Sequence, residues 1–530
     1  MRLIATLGSM GIMLGLTTWA LPADAQVRQA GRVAPAQQVQ VNSLELHGNT
    51  LYDTATLLAF AGGLVQQQQG QVTLPALAAA IERLYREDDY FLASATPVFD
   101  PATGHSHIEI DEGGLRRIEV LGVEERIGQR IADYFRPILT GAPLRMADFE
   151  RSLMLAGDLS GVQLRAEFRI DPANNQNVLV VHATARRWRV SAMVDNTPRQ
   201  QSGNAYLSAE LYSGLMAGDM ARVIVGGSGE TDWSGAGFNF AGFYRFPVGD
   251  AGTYVEVFGA NTVYGRDVEG NLTDRRQSRG ISAVALVGHP VVRDIHQFLY
   301  VFAEYAYGEI DYGDSAVGRD RSSAGRLMAY YTNVEDSFAT VRAGVSATLG
   351  SADSTRSPFV DSTFWHVRAV GGVVVPLRRI DDGLALRIEG YAQATSSSLP
   401  ETERFYLGDR DRMRGYNIAT LTGDSGAMGS VELSRYFAVE GSLLQAIMPS
   451  VFFDAGIVQR NNDLPVMPSG NAASQRVGYS SKVLASTGVA ARLFLAENFV
   501  LSGWVGLPLS EDGRDSYLSP AAYIRLTKTW

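Results

Sequence analysis

The sequence predicts two α+β repeats of β-α-α-β-β order followed by a sixteen-stranded antiparallel transmembrane β-barrel. Three observations carry this reading. From residue 187 to the end, apolar and polar residues alternate in short runs with no long helical period. The connections between those runs alternate between long polar stretches and tight turns. Residues 39–187, by contrast, show helical periods in an element order that occurs twice.

The chain has 530 residues, enough for several domains. Residues 1–25 carry Arg2, an apolar run over 3–21 and an Ala23-Asp24-Ala25 end, the form of a cleaved signal peptide. The run is near spanning length, so an anchor is the competing reading; the missing cytoplasmic flank and the small-x-small end favour cleavage. Residues 26–38 read as a linker or short plug segment, and Gly31 and Pro35 argue against a long helix there. Zero cysteines remove disulfides, thiol nucleophiles and cysteine metal sites together. A net charge of -10 and no Lys/Arg run argue against nucleic acid as a partner, since phosphate recognition normally shows a basic stripe. Mean hydropathy is near neutral, as in soluble chains, but lumen-facing polar residues dilute the signal of any barrel.

The first repeat, 39–113, reads as strand 39–48, helix 53–62, helix 74–87, strand 91–100 and strand 105–111. Leu77, Ile81, Leu84 and Tyr85 recur at helical spacing, with Thr73 placed to cap and Pro75 in the first turn. The second repeat, 114–186, reads as strand 115–121, helix 127–139, helix 146–158, strand 162–171 and strand 176–186. This order, directly before a barrel, resembles the POTRA domains of the Omp85 superfamily. Residues 149–162, from Phe149-Glu150-Arg151-Ser152-Leu153 to Gly161-Val162, resemble the helix-and-turn signature of two-partner-secretion transporters, the haemolysin secretion/activation family. By itself the same segment reads as an amphipathic helix with Leu153 inward, ended at Gly161.

The barrel spans 187–530. Candidate strands lie near 187–197, 204–214, 219–228, 236–249, 252–263, 278–294, 297–312, 325–336, 337–350, 364–377, 384–396, 428–439, 447–460, 481–495, 498–510 and 520–530. In the eleventh, Leu384, Leu386, Ile388, Gly390, Ala392 and Ala394 share one face, and Arg387, Glu389, Tyr391 and Gln393 the other. From the fifth strand onward, long connections (264–277, 313–324, 351–363, 397–427, 461–480) alternate with short ones at 290–294, 335–336 and 496–498. Long outer loops and short periplasmic turns give that rhythm.

The longest connection, 397–427, contains Arg410-Asp411-Arg412-Met413-Arg414-Gly415-Tyr416. Met413-Arg414-Gly415-Tyr416 is similar to the Val-Arg-Gly-Phe/Tyr tetrad at the tip of the sixth outer loop of Omp85 barrels, departing at its first residue. Phe452-Phe453-Asp454-Ala455-Gly456 fits the Phe/Gly-x-Asp-x-Gly motif of the following barrel wall. Strand parity agrees independently: Ser450, Phe452, Asp454 and Gly456 share one face and Val451, Phe453, Ala455 and Ile457 the other. A charge turned to lipid at mid-depth costs on the order of a few kcal/mol, so Asp454 belongs in the lumen. The resemblance implies that the loop folds back into the barrel, that Arg414 meets Asp454 in a charge-assisted contact, that Gly415 permits a tight turn, and that Tyr416 packs near Phe452. An isolated Arg-Gly-Tyr would otherwise read as a solvated loop arginine.

Other motifs carry less. Gly423-Asp424-Ser425-Gly426 copies the string around a serine-protease nucleophile, without a readable His and Asp arrangement. His105 and His107 share a strand face but have no third ligand at metal spacing. No phosphate or dinucleotide fingerprint occurs. The expectation is no catalytic residue, no metal, no cofactor and no enzyme activity.

The resemblance implies an outer-membrane pore whose periplasmic POTRA domains capture an unfolded exoprotein by adding its strands to a sheet edge and pass it through the lumen to the cell surface. An insertase of other barrels and a passive solute porin are the alternatives. The tail, with Trp530, Leu526, Ile524 and Ala522 at steps of two and Lys528 interrupting, resembles the carboxy-terminal signal of outer-membrane barrels. The implied partners are the secreted exoprotein, the outer-membrane bilayer and the barrel assembly machinery during biogenesis. Which exoprotein is carried is not written in this sequence.

Overall fold

A computed structural model describes residues 44–67, 73–99, 105–173, 176–197, 202–230, 237–267, 275–312, 318–334, 339–461, 481–511 and 518–530. The expected signal peptide (1–25), the linker or plug segment (26–38), the turn at 335–336 and nearly all of the connection at 461–480 lie outside the described residues.

One unit contains both repeats. The first runs β1 (Glu45–His47), α1 (Thr54–Gln67), α2 (Leu74–Glu87), β2 (Ser94–Phe99) and β3 (Ser106–Asp111). The second runs β4 (Leu115–Leu121), α3 (Glu125–Phe135), α4 (Met146–Gly157), β5 (Val162–Ile170) and β6 (Asn177–Ala185). The sheets have the same topology, β1-β3-β2 and β4-β6-β5, with the first strand of each parallel to the last. Thr73 caps α2 by accepting from the Ala76 amide, and Pro75 sits in the first turn. Leu77, Ile81 and Tyr85 then bury against Leu57, Ile108 and Ile110 in one core. The helix expected over 127–139 ends at Phe135 and continues as a 3-10 turn, Arg136–Ile138, because Pro137 supplies no amide for the α ladder. In α4 the buried face is Phe149, Ser152, Leu155 and Ala156, so Leu153, expected inward, is only partly buried.

A buried carboxylate ties the first repeat together. Glu112 accepts from the amides of Thr50 (2.7 Å) and Leu51 (2.9 Å), from the Thr50 hydroxyl and from the Tyr85 hydroxyl (2.8 Å). Burial opposes its ionisation, but these donors outweigh burial and hold the carboxyl below the usual glutamate range.

The barrel unit follows: β7 (Trp188–Asn196), β8 (Ser202–Tyr212), β9 (Met220–Glu230), β10 (Gly237–Val248), β11 (Thr253–Asp267), β12 (Arg275–Arg293), β13 (Gln297–Asp311), β14 (Arg319–Val334), β15 (Thr340–Ser354), β16 (Thr363–Pro376) and β17 (Leu384–Ala394). Two short strands, β18 (Phe405–Leu407) and β19 (Leu421–Gly423), pair only with each other. The wall resumes with β20 (Ser425–Arg435), β21 (Phe437–Ala438), β22 (Leu444–Gln459), β23 (Ser481–Leu495), β24 (Phe499–Pro508) and β25 (Ala521–Thr529), which closes on β7. Both β20 and β21 pair with β22; they are one strand broken at Tyr436, whose amide donates instead to the Gly383 carbonyl. The wall therefore has sixteen antiparallel strands.

Side chains alternate as the period demands. Along β22, Ser450, Phe452, Asp454 and Gly456 are buried, and Val451, Phe453 and Ile457 exposed. The outward apolar residues form a band, with Leu327 69% and Leu349 74% exposed, which only lipid would solvate favourably. Strands β11, β12, β14 and β15 run several residues farther toward the long-loop rim than the apolar pattern indicates. Beyond lipid the backbone ladder continues without needing apolar side chains, so the polar run Arg319-Asp320-Arg321-Ser322-Ser323 begins a strand, Arg319–Val334, where hydropathy reads loop.

Candidate functional site: a long loop folded into the lumen

The connection between β17 and β20 is the sixth on the rim that carries the long loops, after those that follow β7, β9, β11, β13 and β15, and it leaves the rim as β18, returns as β19 and carries its tip between them. Its base is held by charge. Glu403, buried, pairs with Arg326 on β14, lies with its Oε2 3.0 Å from His366 Nε2 on β16, and accepts through its backbone carbonyl from Arg368 at 2.9 Å. Arg326 also pairs with Glu304 on β13. Asp424 accepts from the amides of Leu399 and Asn461, both at 2.8 Å. The Gly-Asp-Ser-Gly string is thus part of the loop's footing, with Ser425 hydrogen bonded to the Thr395 backbone.

At the tip, Met413 (φ 50°) and Gly415 (φ 96°) both take left-handed backbone, reversing the chain on either side of Arg414. The double reversal aims the Arg414 amide and side chain at one carboxylate. The amide and Nε reach Asp454 Oδ2 at 3.0 Å each, and Nη2 reaches Oδ1 at 2.9 Å. Nη1 donates to Glu432 at 2.5 Å and Nη2 to Ser430 at 3.1 Å. The guanidinium lies 3.6 Å from the centre of the Phe452 ring. Asp454 is 0% exposed and also accepts from Ser430 at 2.7 Å. Every nitrogen of Arg414 therefore has an acceptor, which is what makes burying this charge tolerable.

Glycines set the depth of insertion. A Cβ at Gly506 on β24 would meet Gly415 N at 2.8 Å and its Cα at 2.9 Å, so two backbones touch there. A Cβ at Gly456 would meet Leu407 at 2.7 Å, which explains the glycine of the wall motif. Leu407, Met413, Tyr416 and Leu421 from the loop pack with Met428, Val458 and Leu484 from the lumen face of the wall. Met413, the departure from the motif, is fully buried in this cluster.

Tyr416 is not near Phe452 as expected. It belongs to the cluster around Leu484, and its hydroxyl donates to the Ala485 carbonyl at 2.7 Å and meets Ser510. Phe452 packs instead with Trp504, Ala521 and Tyr523. The reason is direction: the reversal at Gly415 carries the chain onward toward β23, away from the strand that Arg414 touches.

At the carboxy terminus, Ile524 and Trp530 are exposed on the outer face and Leu526 is partly buried. Lys528 shares that face. Its ammonium pairs with the Glu497 carbonyl and lies 4.4 Å from the Phe499 ring, so its stem covers apolar surface while the charge leaves it. In the first repeat, His107 stacks on His47 with centroids 4.8 Å apart.

Residues 306–478 match the family model described as haemolysin secretion/activation protein ShlB/FhaC/HecB. The haemolysin transporter protein ShlB of Serratia marcescens is 24% identical over 491 residues, covering 89% of this chain and 83% of that protein. CdiB from Escherichia coli is similar in structure with a TM-score of 0.71 at 18% identity, covering 94% of this chain and 92% of its own. Over residues 306–478 this chain is thus similar to the haemolysin secretion/activation family. CdiB from Acinetobacter baumannii shares the fold, with a TM-score of 0.65 at 13% identity over 100% of this chain and 96% of its own.

Several residues that build the site were missed by sequence reasoning. Glu432 and Ser430 complete the shell of Arg414. They lie on β20 at the parity of Asp454's cross-strand partners, so a register drawn between the two strands would have found them. Glu403, Arg326, His366 and Arg368 form the footing. Their signal is four charged or polar residues on lumen positions and in one loop, visible only once strand order is known.

Proposed function

We propose that this protein is the outer-membrane transporter of a two-partner secretion pair, in keeping with its similarity to the haemolysin secretion/activation family. Its α+β repeats face the periplasm and receive an unfolded exoprotein, by strand addition to the exposed edges β2 or β5 of their sheets. The polypeptide then crosses the barrel to the cell surface. The sixth loop is the element that must yield, and the Arg414–Asp454 contact holds it in the lumen between transport events. The observation that carries this reading is the buried guanidinium with all its donors satisfied inside a sixteen-stranded wall. A passive porin, whose sixteen-stranded wall would leave an open aqueous channel, has no need to hold a long loop inside it by such a contact.

The outward row ending at Trp530 fits recognition by the barrel assembly machinery during biogenesis. The test is co-expression with a candidate secreted partner. With the intact chain the partner reaches the cell surface; with Arg414→Ala it accumulates in the periplasm while the barrel still migrates as a folded, heat-modifiable species. Surface delivery at the intact level by Arg414→Ala contradicts the role given to the loop. Partner left in the bilayer as an assembled barrel supports insertase activity instead.

A further inference from the structure

The barrel closes through its weakest joint. Strands β7 and β25 pair over five positions, Ser191–Asp195 against Arg525–Thr529, where β7–β8 pair over nine and β24–β25 over eight. Beyond the ladder, side chains continue the joint. Asn196 donates to the Ala522 carbonyl at 3.0 Å and accepts from the Ile524 amide at 2.7 Å.

The sixth loop reaches this same joint. Asp195 on β7 is buried and accepts from Tyr523 on β25 at 2.8 Å and from Asn204 on β8 at 2.8 Å. Arg410 of the loop places Nη2 3.4 Å from Asp195 Oδ1, and Arg525 on β25 places Nε 3.9 Å from Oδ2. Asp411 of the loop stands 3.5 Å from Arg525. Trp504 on β24 donates its indole N–H to the Arg410 carbonyl at 2.6 Å. Two loop charges of opposite sign therefore meet two wall charges of opposite sign, one on each side of the closing joint.

This contact differs in kind from the one at the tip. Arg414 has directed hydrogen bonds from Nε, Nη1 and Nη2. Arg410 Nε and Nη2 are buried without a hydrogen bond among the described residues, as is Arg525 Nε. Charges held at ion-pair distance without directed bonds recover less of their desolvation cost, so this is the contact that breaks first.

We propose that Arg410 and Asp411 form a second, releasable anchor that joins the sixth loop to the β7–β25 closure, so that withdrawing the loop and loosening the closure are one coupled event. By linkage the coupling is reciprocal. Arg410 and Asp195 are positioning residues here; neither is asked to touch the transported chain. The proposal concerns the barrel's own equilibrium and stands whether or not the transport reading does.

The experiment is hydrogen exchange on the full chain in lipid nanodiscs, comparing peptides covering 188–196 and 521–529 with those covering β10 and β11. Arg410→Ala is expected to speed exchange at the closure by about ten-fold or more, with β10 and β11 unchanged, as in a local opening. Asp195→Asn is expected to do the same, and the double variant no more than either single one. Unchanged exchange at the closure in both singles, or additive effects in the double, overturns the proposal. Heat-modifiable migration identifies any variant that has not folded. For that event a second arm uses the cysteine-free background: Ser191→Cys with Thr529→Cys, a facing pair, crosslinks the closure. Oxidising it is expected to slow exchange across 405–423 by several-fold, and no change there also overturns the coupling.

Discussion

Two stretches of the same lumen wall handle charge in opposite ways. On β7–β11, Arg189 and Arg222 both meet Glu210 at 2.7 Å, and Arg245 meets Glu256 at 2.8 Å, each pairing a strand with its neighbour. On β20–β24 the wall charges Glu432 and Asp454 are satisfied by the loop, and beside the serines Ser430, Ser450 and Ser486 the lumen face carries large apolar residues: Met428, Phe452, Val458, Leu484 and Trp504. The first wall is complete as a wet surface. The second is complete only while the loop lies on it. The comparison teaches that the loop is a structural layer of one half of the barrel, and that moving it exposes apolar surface and strands a carboxylate.

Changes under the loop should therefore cost far more than changes on the other wall. Asp454→Ala leaves Arg414 without its main partner in a buried site, a loss of roughly 3–5 kcal/mol to loop retention, to be read as protease sensitivity of 405–423. Leu407→Ala empties a fully buried position in the loop's apolar cluster and should cost about 2–5 kcal/mol, read by hydrogen exchange of the same segment. Gly506→Ala forces a Cβ against the Gly415 backbone and should lift the tip at about 1–3 kcal/mol, visible as loss of protection around 413–416. On the other wall, Arg189→Ala leaves Glu210 still paired with Arg222, so thermal migration should change by less than about 1 kcal/mol. A large effect of Arg189→Ala, or a small one of Leu407→Ala, would dissolve the contrast.

Acid gives a further handle in the first repeat. The Glu112 carboxyl is held below its ordinary value by its donors. Its contribution is thus complete above the unfolded value near about 4.3 and drains as pH falls through the lower folded value. Hydrogen exchange over 50–52 should rise on acidification in the intact chain, and Glu112→Gln should show that rise already at neutral pH and lose the dependence.

Much of this was legible before any coordinates. Period two located all sixteen wall strands because each face meets a different solvent. Parity put Asp454 in the lumen, and the motif resemblance paired it with Arg414. Strand ends at the long-loop rim were not legible, since past the lipid edge nothing distinguishes a polar strand from a polar loop. The seat of Tyr416 was not legible either, because a reversal at one glycine decides which strand the next side chain meets. Asp195 shows what could have been read: it has lumen parity on β7 just as Asp454 has on β22, and a buried acid asks for a cation. What sequence withheld was that the cation comes from the loop.

The most direct test of the central claim is external trypsin on intact cells, comparing the native chain with Arg414→Ala. Arg410 and Arg412 offer cleavage sites within the loop. In the native chain the loop lies buried and should resist; in Arg414→Ala it should be cut at 410–412 while the barrel remains in the membrane. Equal resistance in the two would mean that Arg414 and Asp454 do not hold the loop in the lumen.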